Sequence, residues 1–333
     1  MSDATGATGA RRGIPARIPV FAAPMFLVSG PDLVIAACRA GIVGAFPIHN
    51  ARSEADREAW MTRITKELEQ ARAEHPDRIT APWCLNLVTH STNAQLPADL
   101  KLVAKHQPPV VVTALGSPKP VMEVVKGYGG IVIADVVSMT LAKKAIAAGV
   151  DGLACVSAGA GGHTGFLSPF AFISAVRSIF DGIIVVGGGI ADGRAVAGAV
   201  AAGADFVYMG TRFIPSAESI AAPGFKQMVV DSTIDDLIVS ASISGTPASW
   251  LKPSLVAAGL DPANLPEAPK RGYDTSDDRP KRWKDLWAAG QGLGASNAIE
   301  PVAGIVDQLE TEYQDALRAI AARIDLKDQG TRK

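Results

Sequence analysis

The sequence is poor in cysteine and carries almost no excess of charge. Only three cysteines occur among 333 residues, Cys38, Cys84 and Cys155, and no two of them form a CxxC pair. We therefore expect neither a disulfide framework nor a metal site, and a reducing compartment fits this usage. The formal net charge is −1 and no block of like charge stands out, so neither nucleic acid nor an anionic membrane is expected as a partner.

Long apolar runs are also missing. No run reaches the roughly 18 residues that would suggest a membrane span. The first residues, "MSDATGATGARRG", lack the apolar core of a secretory signal. A cytoplasmic location is the expectation, and a homodimer is left open. The composition, 48% hydrophobic and 20% charged, is typical of a globular protein.

Short apolar runs alternate with Ala-rich segments of helical character. Strands are predicted at 18–24, 41–47, 83–88, 109–115, 130–136, 152–157, 182–188 and 206–210. Helices are predicted between them at 31–40, 53–74, 97–106, 118–127, 138–148, 168–179 and 192–202. Nearly continuous apolar strands are typical of parallel strands covered on both faces. Eight such repeats predict an α/β fold of the (β/α)8 TIM-barrel type.

A doubly wound sheet is the alternative fold. It would place a GxGxxG turn after the first strand, and this chain reads "AAPMFLVSG" there.

The repeat changes after residue 220. We expect residues 14–220 plus 291–333 to form the barrel, with 221–290 a small, mostly helical and loop insertion over its mouth. Within that insertion, 261–282 is rich in Pro and Asp and reads as a loop.

A long amphipathic helix is predicted over 298–325 and is expected to supply the last helix of the ring. Its apolar residues recur at helical spacing. They are Ile299, Val302, Ile305, Val306, Leu309, Tyr313, Leu317, Ile320 and Ile324.

Two glycine-rich turns follow the seventh and eighth predicted strands, in "VVGGGIADGR" (185–194) and "YMGTRF" (208–213). The loops after strands seven and eight are the usual phosphate site of a TIM barrel, and a helix beginning near Asp192 would add a favourable N-terminus. One GGG run is common in ordinary turns, but two such loops in this order predict a bound phosphate. The candidate residues are Gly187, Gly188, Gly189, Gly210 and Thr211.

A third glycine-rich stretch, "SAGAGGHTG" (157–165), follows the sixth strand. Gly161 and Gly162 would let the backbone approach a flat ligand closely. His163 is the one strong acid/base group of the stretch, and it lies where barrel enzymes place their chemistry. It is the candidate catalytic residue. Nothing resembling a site surrounds the other histidines, which we interpret as surface or structural; these are His49, His75, His90 and His106.

Two further residues face the expected mouth. Asn86, in "CLNLV", is a polar amide near the end of an apolar strand, where it would contact a ligand or make a structural hydrogen bond. Met25, in "APMF" after the first strand, would lie under an aromatic ring, although methionine is more often plain core.

Together these motifs resemble the nitronate monooxygenase family, formerly called 2-nitropropane dioxygenases. The resemblance rests on "APM", "NL", "AGGHTG", "GGGIADGR" and "GADFVYMGTRF", and covers most of residues 18–220. It extends weakly to 244–255 and 286–294. Flavin-dependent enoyl-ACP reductases and NADH:quinone reductases share the same order of motifs.

The resemblance implies an FMN-dependent barrel that oxidises alkyl nitronates with O2 to carbonyl compounds and nitrite, with His163 as base or hydrogen-bond donor. The alternative is an FMN-dependent NAD(P)H reductase of a quinone or an enoyl thioester. Further alternatives are a flavin-free barrel acting on a sugar phosphate and a phosphate-binding module without catalysis.

The resemblance also implies roles for individual residues. The phosphate of FMN would be held by the two glycine loops, and its ring would lie against Ala23, Pro24 and Met25, with Asn86 near its polar edge. Gln291 would approach from the insertion side. This chain departs from some members in carrying Asp135 where they have a lysine, and Ala288 where they have a serine.

Overall fold

The computed structural model describes residues 12–267 and 283–330, with side chains described up to residue 323. Eight parallel strands form a closed barrel, in the order β1-β2-β3-β4-β5-β6-β8-β9. They are β1 (Val20–Ala22), β2 (Val43–Pro47), β3 (Trp83–Val88), β4 (Val110–Ala114), β5 (Ile131–Val136), β6 (Gly152–Val156), β8 (Ile183–Gly187) and β9 (Phe206–Met209). The predicted TIM barrel is confirmed.

Seven helices connect these strands on the outside of the barrel. They are α1 (Pro31–Arg39), α2 (Glu54–Glu74), α3 (Leu96–His106), α4 (Lys119–Gly127), α5 (Met139–Ala147), α6 (Pro169–Arg177) and α7 (Gly193–Ala201). Side chains of Ser53, Ser138, Ser168 and Asp192 accept a backbone N–H at the start of α2, α5, α6 and α7, which is why those helices begin there. The predicted strands and connecting helices agree with the observed ones to within two residues.

The long C-terminal helix α10 (Val302–Gly330) packs against α7 and α1 and so closes the outer ring after β9. Its first amide, on Val302, donates to the Glu218 carboxylate at 3.1 Å. The helix therefore begins four residues later than predicted, and Ile299 is exposed outside it. The predicted apolar face is buried from Val302 to Tyr313, but the prediction was wrong for Leu317 and Ile320, which are exposed. The side chain of Ile324 lies outside the described residues.

Arg212 ties this helix to the end of β9. Its buried guanidinium donates to Glu300 Oε1 at 2.7 Å, to Gln308 Oε1 at 2.9 Å and to Ser296 Oγ at 3.2 Å. A buried charge is tolerated only when it is paired and bonded in this way. The "MGTRF" motif therefore has a structural part in addition to its expected part in binding.

The interior of the barrel is filled in layers of four side chains taken from alternate strands. The lower layer holds Phe21, Cys84, Ile133 and Val185, and the next holds Ala45, Val112, Ala154 and Tyr208. Side chains alternate along a strand. The next inward positions, directly after β1 and in β3, β5 and β8, are therefore Ala23, Asn86, Asp135 and Gly187, and they form a layer near the carboxyl ends of the strands.

The segment after residue 220 adds helix α8 (Pro223–Asp231) and helix α9 (Lys252–Ala257), in agreement with the mostly helical prediction. It also contains a hairpin that was not predicted, β10 (Leu237–Ser240) and β11 (Ala248–Leu251). Strand β11 pairs in antiparallel fashion with the two-residue strand β7 (Gly162–His163), which gives a three-stranded sheet. The predicted loop 261–282 lies outside the described residues from 268 onward.

The described helices include none that is long and apolar enough to cross a membrane.

Candidate active site

The layer formed by Ala23, Asn86, Asp135 and Gly187, here called the upper layer, has small residues on one side of the barrel and polar side chains on the other. Ala23 directly follows β1 and Gly187 ends β8, and these two strands flank β9. A side chain at Gly187 would lie only 3.0 Å from Tyr208 Cβ. Asn86 and Asp135 come from β3 and β5 on the other side of the ring. The layer therefore offers room next to the glycine loops and hydrogen-bonding groups across from them.

The polar groups of this layer are poorly satisfied by the protein itself. Asn86 is buried, and within the described part of the chain its side-chain amide donates one long hydrogen bond, to Val112 O at 3.5 Å. Among the described residues, neither the buried Oδ1 of Asp135 nor the hydroxyl of Tyr208 in the layer below has a hydrogen-bond partner. Buried polar atoms normally have one. Atoms left without a partner at a barrel mouth are what a bound polar ligand would satisfy.

Burial also changes the ionisation of these groups, because a low-dielectric surrounding disfavours the charged form. Burial raises the pKa of the Asp135 carboxyl to about 7. Burial also raises the pKa of Tyr208 and of the Cys84 thiol well above their ordinary values, and the charge of Asp135 adds to both shifts. Asp135 is therefore the group inside the barrel that changes charge near neutral pH.

Three glycine loops and the segment 289–292 meet beside this layer. Gly159 O, after β6, accepts from Gly189 N at 3.2 Å and from Gln291 N at 2.8 Å. Thr211 Oγ1, after β9, accepts from Gly290 N at 2.9 Å. The structure thus brings Gly189, Thr211 and Gln291 into one cluster, although they lie far apart in the sequence.

Glycine is required at this junction by close backbone contacts and by backbone conformation. A Cβ on Gly290 would lie 2.6 Å from both Gly159 O and Gly161 N. Gly188 and Gly189 have φ values of 140° and 68°, in a region that favours glycine. A Cβ on Gly188 would also lie 2.5 Å from Ala158 O. The predicted glycine-rich turns are therefore packed against one another.

The expectation that the N-terminus of α7 would face an anion is not supported. The amide of Gly193 donates to Glu312 Oε2 at 2.8 Å, and that of Ala195 donates to the capping carboxylate of Asp192 at 2.7 Å. Two carboxylates already satisfy the first turn of this helix, and their charge would repel a phosphate. The anion would have to be bound by the loops themselves.

The loop after β1 completes the mouth on the opposite side of β9. Gly210 lies beside Ala23 and Met25, since a Cβ there would be 3.4 Å from Met25 Sδ and 3.8 Å from Ala23 Cβ. Asn50 holds this loop, because its side-chain amide donates to Met25 O at 2.9 Å and its oxygen accepts from Leu27 N at 2.9 Å. Pro24 lies between these contacts and is half-buried.

His163 lies on β7, opposite Ala248 of β11. Its exposed imidazole packs edge-on against the indole of Trp283, with ring centroids 5.3 Å apart, and Trp283 stacks on buried Trp250 at 4.6 Å. Gly162 precedes it with φ 66° and also borders Trp283. The histidine is thus fixed in a short sheet rather than in a free loop, and Ala288 packs into the same aromatic cluster.

The other histidines lie away from this cluster. His75 caps α2, His90 contacts Thr92 Oγ1 at 2.8 Å, and His106 ends α3. His49 follows β2 and is half-buried, and desolvation lowers its pKa.

Sequence reasoning missed Tyr208, Trp250 and Trp283. Tyr208 belongs to the quoted "YMGTRF" motif, and its inward position follows from alternation with Gly210. The hairpin that carries Trp250 had a signal in the short apolar runs "LIVS" and "ASWL", separated by a turn containing Gly and Pro. Trp283 borders the part of the chain that the structure leaves undescribed, and nothing in the local pattern indicated its contact with His163.

Comparison with known proteins gives a consistent result. A family model described as nitronate monooxygenase matches residues 12–312. A nitronate monooxygenase of Paraburkholderia phytofirmans is 24% identical over 369 aligned residues, covering 96% of this chain and 99% of the relative.

Two further proteins are similar over much of the chain. A 5-hydroxy-7a-methyl-1-oxo-octahydro-1H-indene-4-carboxyl-CoA dehydrogenase of Rhodococcus jostii is 29% identical over 238 residues, which is 72% of this chain but only 64% of that relative. The solved structure of a nitroalkane oxidase from Streptomyces ansochromogenes has a TM-score of 0.76 at 21% identity, covering 91% of this chain and 98% of the other. At 21% identity, this structural similarity shows a shared fold and no more.

Proposed function

The chain belongs to the nitronate monooxygenase family of flavin oxidoreductases, and from that premise we propose that it binds FMN and oxidises alkyl nitronates with O2 to carbonyl compounds and nitrite. One observation carries the proposal. The loops after β6, β8 and β9 and the segment 289–292 converge on a barrel layer whose polar atoms lack partners.

The residues present fit a flavin mononucleotide. The loops after β8 and β9, which carry Gly188, Gly189, Gly210 and the hydroxyl of Thr211, suit a single terminal phosphate. Ala23 and Gly187 leave space for a flat ring, and Asn86 and Asp135 offer groups that lack good partners within the protein. The remaining proposed contacts are Pro24, Met25, Gly161, Gly162 and Gln291.

When bound, the flavin supplies the electron-accepting chemistry and the reaction with O2. The protein binds the substrate and handles its proton. In this proposal His163 takes the proton from the carbon next to the nitro group of a neutral nitroalkane, or donates a hydrogen bond to an oxygen of a nitronate. Packing on Trp283 and pairing with β11 orient the imidazole, so that little ordering is required when substrate binds.

The segment after residue 220 has a proposed part in covering the site. Phe225 and Val229 of α8 and Leu251 of β11 pack with Val28 and Ile214, which follow β1 and β9 at the carboxyl ends of the strands. We propose 14–220 with 291–333 as the FMN-binding barrel, and 221–290 as a cover that limits the access of water.

The first test is the absorption spectrum of the purified protein, followed by release of the chromophore and measurement of its mass. A colourless protein, or one releasing FAD, contradicts the FMN assignment. Oxygen uptake and nitrite formation with an alkyl nitronate then test the reaction.

His163→Asn should retain the flavin spectrum and lose roughly 100-fold or more in turnover, as expected for removal of a general base or donor. His75→Asn, at an exposed helix end, is the matched control and should behave as the wild type. Unchanged turnover in His163→Asn would remove this residue from the mechanism.

A second candidate function is a flavin-dependent oxidoreductase acting on a thioester, with NAD(P)H as electron donor when it works as a reductase. It is favoured by the acyl-CoA substrate named for the Rhodococcus jostii relative. Large apolar side chains also follow several strands at the mouth, with Phe166 81%, Leu115 60% and Phe26 47% exposed. Anaerobic mixing separates the two. Rapid bleaching by NADH but not by nitronate supports the second, and the reverse supports the first.

A further inference from the structure

Asp135 and Tyr208 each place a buried polar atom inside the barrel that the described protein leaves without a hydrogen-bond partner. The carboxyl projects inward in the upper layer, next to Ala154 of β6 in register. The hydroxyl belongs to the layer immediately below, and Tyr208 is 9% exposed. The Asp135 Oδ1 atom and the Tyr208 hydroxyl are both buried without a partner. Buried polar atoms left without a partner destabilise the folded protein, which points to a ligand that satisfies them.

Among the described residues, no positive charge lowers the pKa of this carboxyl, and its shift comes from burial alone. The inward neighbours on the adjoining strands are Val112 and Ala114 of β4, and Ala154 and Val156 of β6. The acidic groups that feel its charge are Cys84, Cys155 and Tyr208, and burial raises the pKa of all three, so they are neutral near pH 7. Asp135 is therefore a half-buried acid whose Oδ1 atom is fully buried, in an apolar and neutral surrounding near the mouth.

We propose that Asp135 sets the electron affinity of the bound flavin. When it is protonated, it donates a hydrogen bond to the polar edge of the ring. When it is ionised, it no longer donates this bond and places a negative charge near that edge. This inference rests on the flavin binding of the proposed function. Reduction adds two electrons to the ring, and the negative charge that develops at its polar edge is stabilised by a donor and opposed by a carboxylate. The burial that raises the pKa of Asp135 to about 7 places this change near neutrality.

Two imidazoles lie after strands at the mouth and have to be separated from Asp135. His163 lies on β7, and His49 follows β2. The experiment therefore uses the visible absorption and the reduction potential of bound flavin, recorded against pH without substrate, in wild type and in the His163→Asn background. In both proteins we expect one single-proton transition near neutral pH, with the potential falling further above it than below it.

Asp135→Asn keeps the shape and removes the ionisation, so it should abolish the transition. Asp181→Asn is the matched control, because Asp181 is exposed just before β8, at the other end of the barrel, and it should leave the transition in place. A transition that persists in Asp135→Asn, or that disappears in His163→Asn, overturns the inference.

Tyr208→Phe provides an independent measurement should Asp135→Asn bind flavin too weakly. Loss of the hydroxyl makes the surrounding of Asp135 less polar, so the midpoint should move to higher pH. An unmoved midpoint overturns the inference. This experiment uses no nitronate. If the protein shows the transition but does not oxidise nitronates, the proposed reaction alone is contradicted. If the transition does not depend on Asp135, this inference alone is contradicted.

Discussion

Gly290→Ala tests whether the site is assembled by contact between three distant loops. The position has an ordinary backbone conformation, so alanine introduces no strain of its own. Its Cβ, however, would lie 2.6 Å from Gly159 O and 2.6 Å from Gly161 N, where ordinary contacts begin at 3.4 Å. Both neighbours are backbone atoms, so the loops have to separate by roughly 0.8 Å to accept one methyl group.

The expected cost follows from two terms. Overpacking a well-packed contact costs about 1–3 kcal/mol. The separation also stretches the bonds from Gly290 N to Thr211 Oγ1 (2.9 Å) and from Gln291 N to Gly159 O (2.8 Å), each contributing about 1 kcal/mol. Together these contributions come to about 3–5 kcal/mol. If about 2 kcal/mol of this cost falls on flavin binding, the dissociation constant for FMN rises about 30-fold.

Fluorescence titration of the apoprotein with FMN measures that constant, and urea denaturation measures the free energy of unfolding. Gly127→Ala is the matched control, because Gly127 ends α4 and a Cβ there meets nothing within 4 Å. It should bind FMN normally and be neutral or about 0.5–1 kcal/mol more stable. If Gly290→Ala binds FMN as tightly as Gly127→Ala does, the loop contact does not build the site.

Three further changes have defined outcomes. In the apoprotein, burial raises the pKa of Asp135 to about 7 from an ordinary 3.8, so the folded state keeps a proton that the unfolded state loses, and stability falls as pH rises through this window. Relative to wild type, the free energy of unfolding of Asp135→Asn, measured by urea titration, should rise by at most about 4 kcal/mol between about pH 4 and pH 8. A difference in unfolding free energy that does not depend on pH would refute this. Arg212→Met leaves Glu300 without its buried partner and should lower the free energy of unfolding by about 3 kcal/mol. An unfolding free energy within about 0.5 kcal/mol of wild type, as for an ordinary surface substitution, would contradict a stabilising role of this network. Trp250→Ala should lower the free energy of unfolding by about 3–5 kcal/mol. It also removes the stacking partner of Trp283, so the tryptophan emission maximum should move to longer wavelength. An unchanged emission maximum would argue against the stacking contact.

The barrel could be predicted because its signals are local. Each strand is a short apolar run, and helix ends are marked by residues such as Ser53 and Asp192, whose side chains satisfy the first amides. The order of the glycine loops after β6, β8 and β9 identified one end of the barrel as the candidate site. The hairpin β10–β11 was missed because four-residue strands have little periodicity to detect. The two strands pair with each other, and β11 also pairs with β7.

The sequence by itself determined the eight β/α repeats, the family resemblance and the choice of His163, since these depend on local patterns and short motifs. Tertiary structure decided what surrounds those residues. Closing the barrel put Asp135 in one layer with Ala23, Asn86 and Gly187 and above Tyr208, and folding the chain back placed Gly290 against Gly159. Burial and the matching of polar atoms depend on residues far apart in the chain. The altered ionisation of Asp135 and the occupied N-terminus of α7 could therefore be found only in the folded protein.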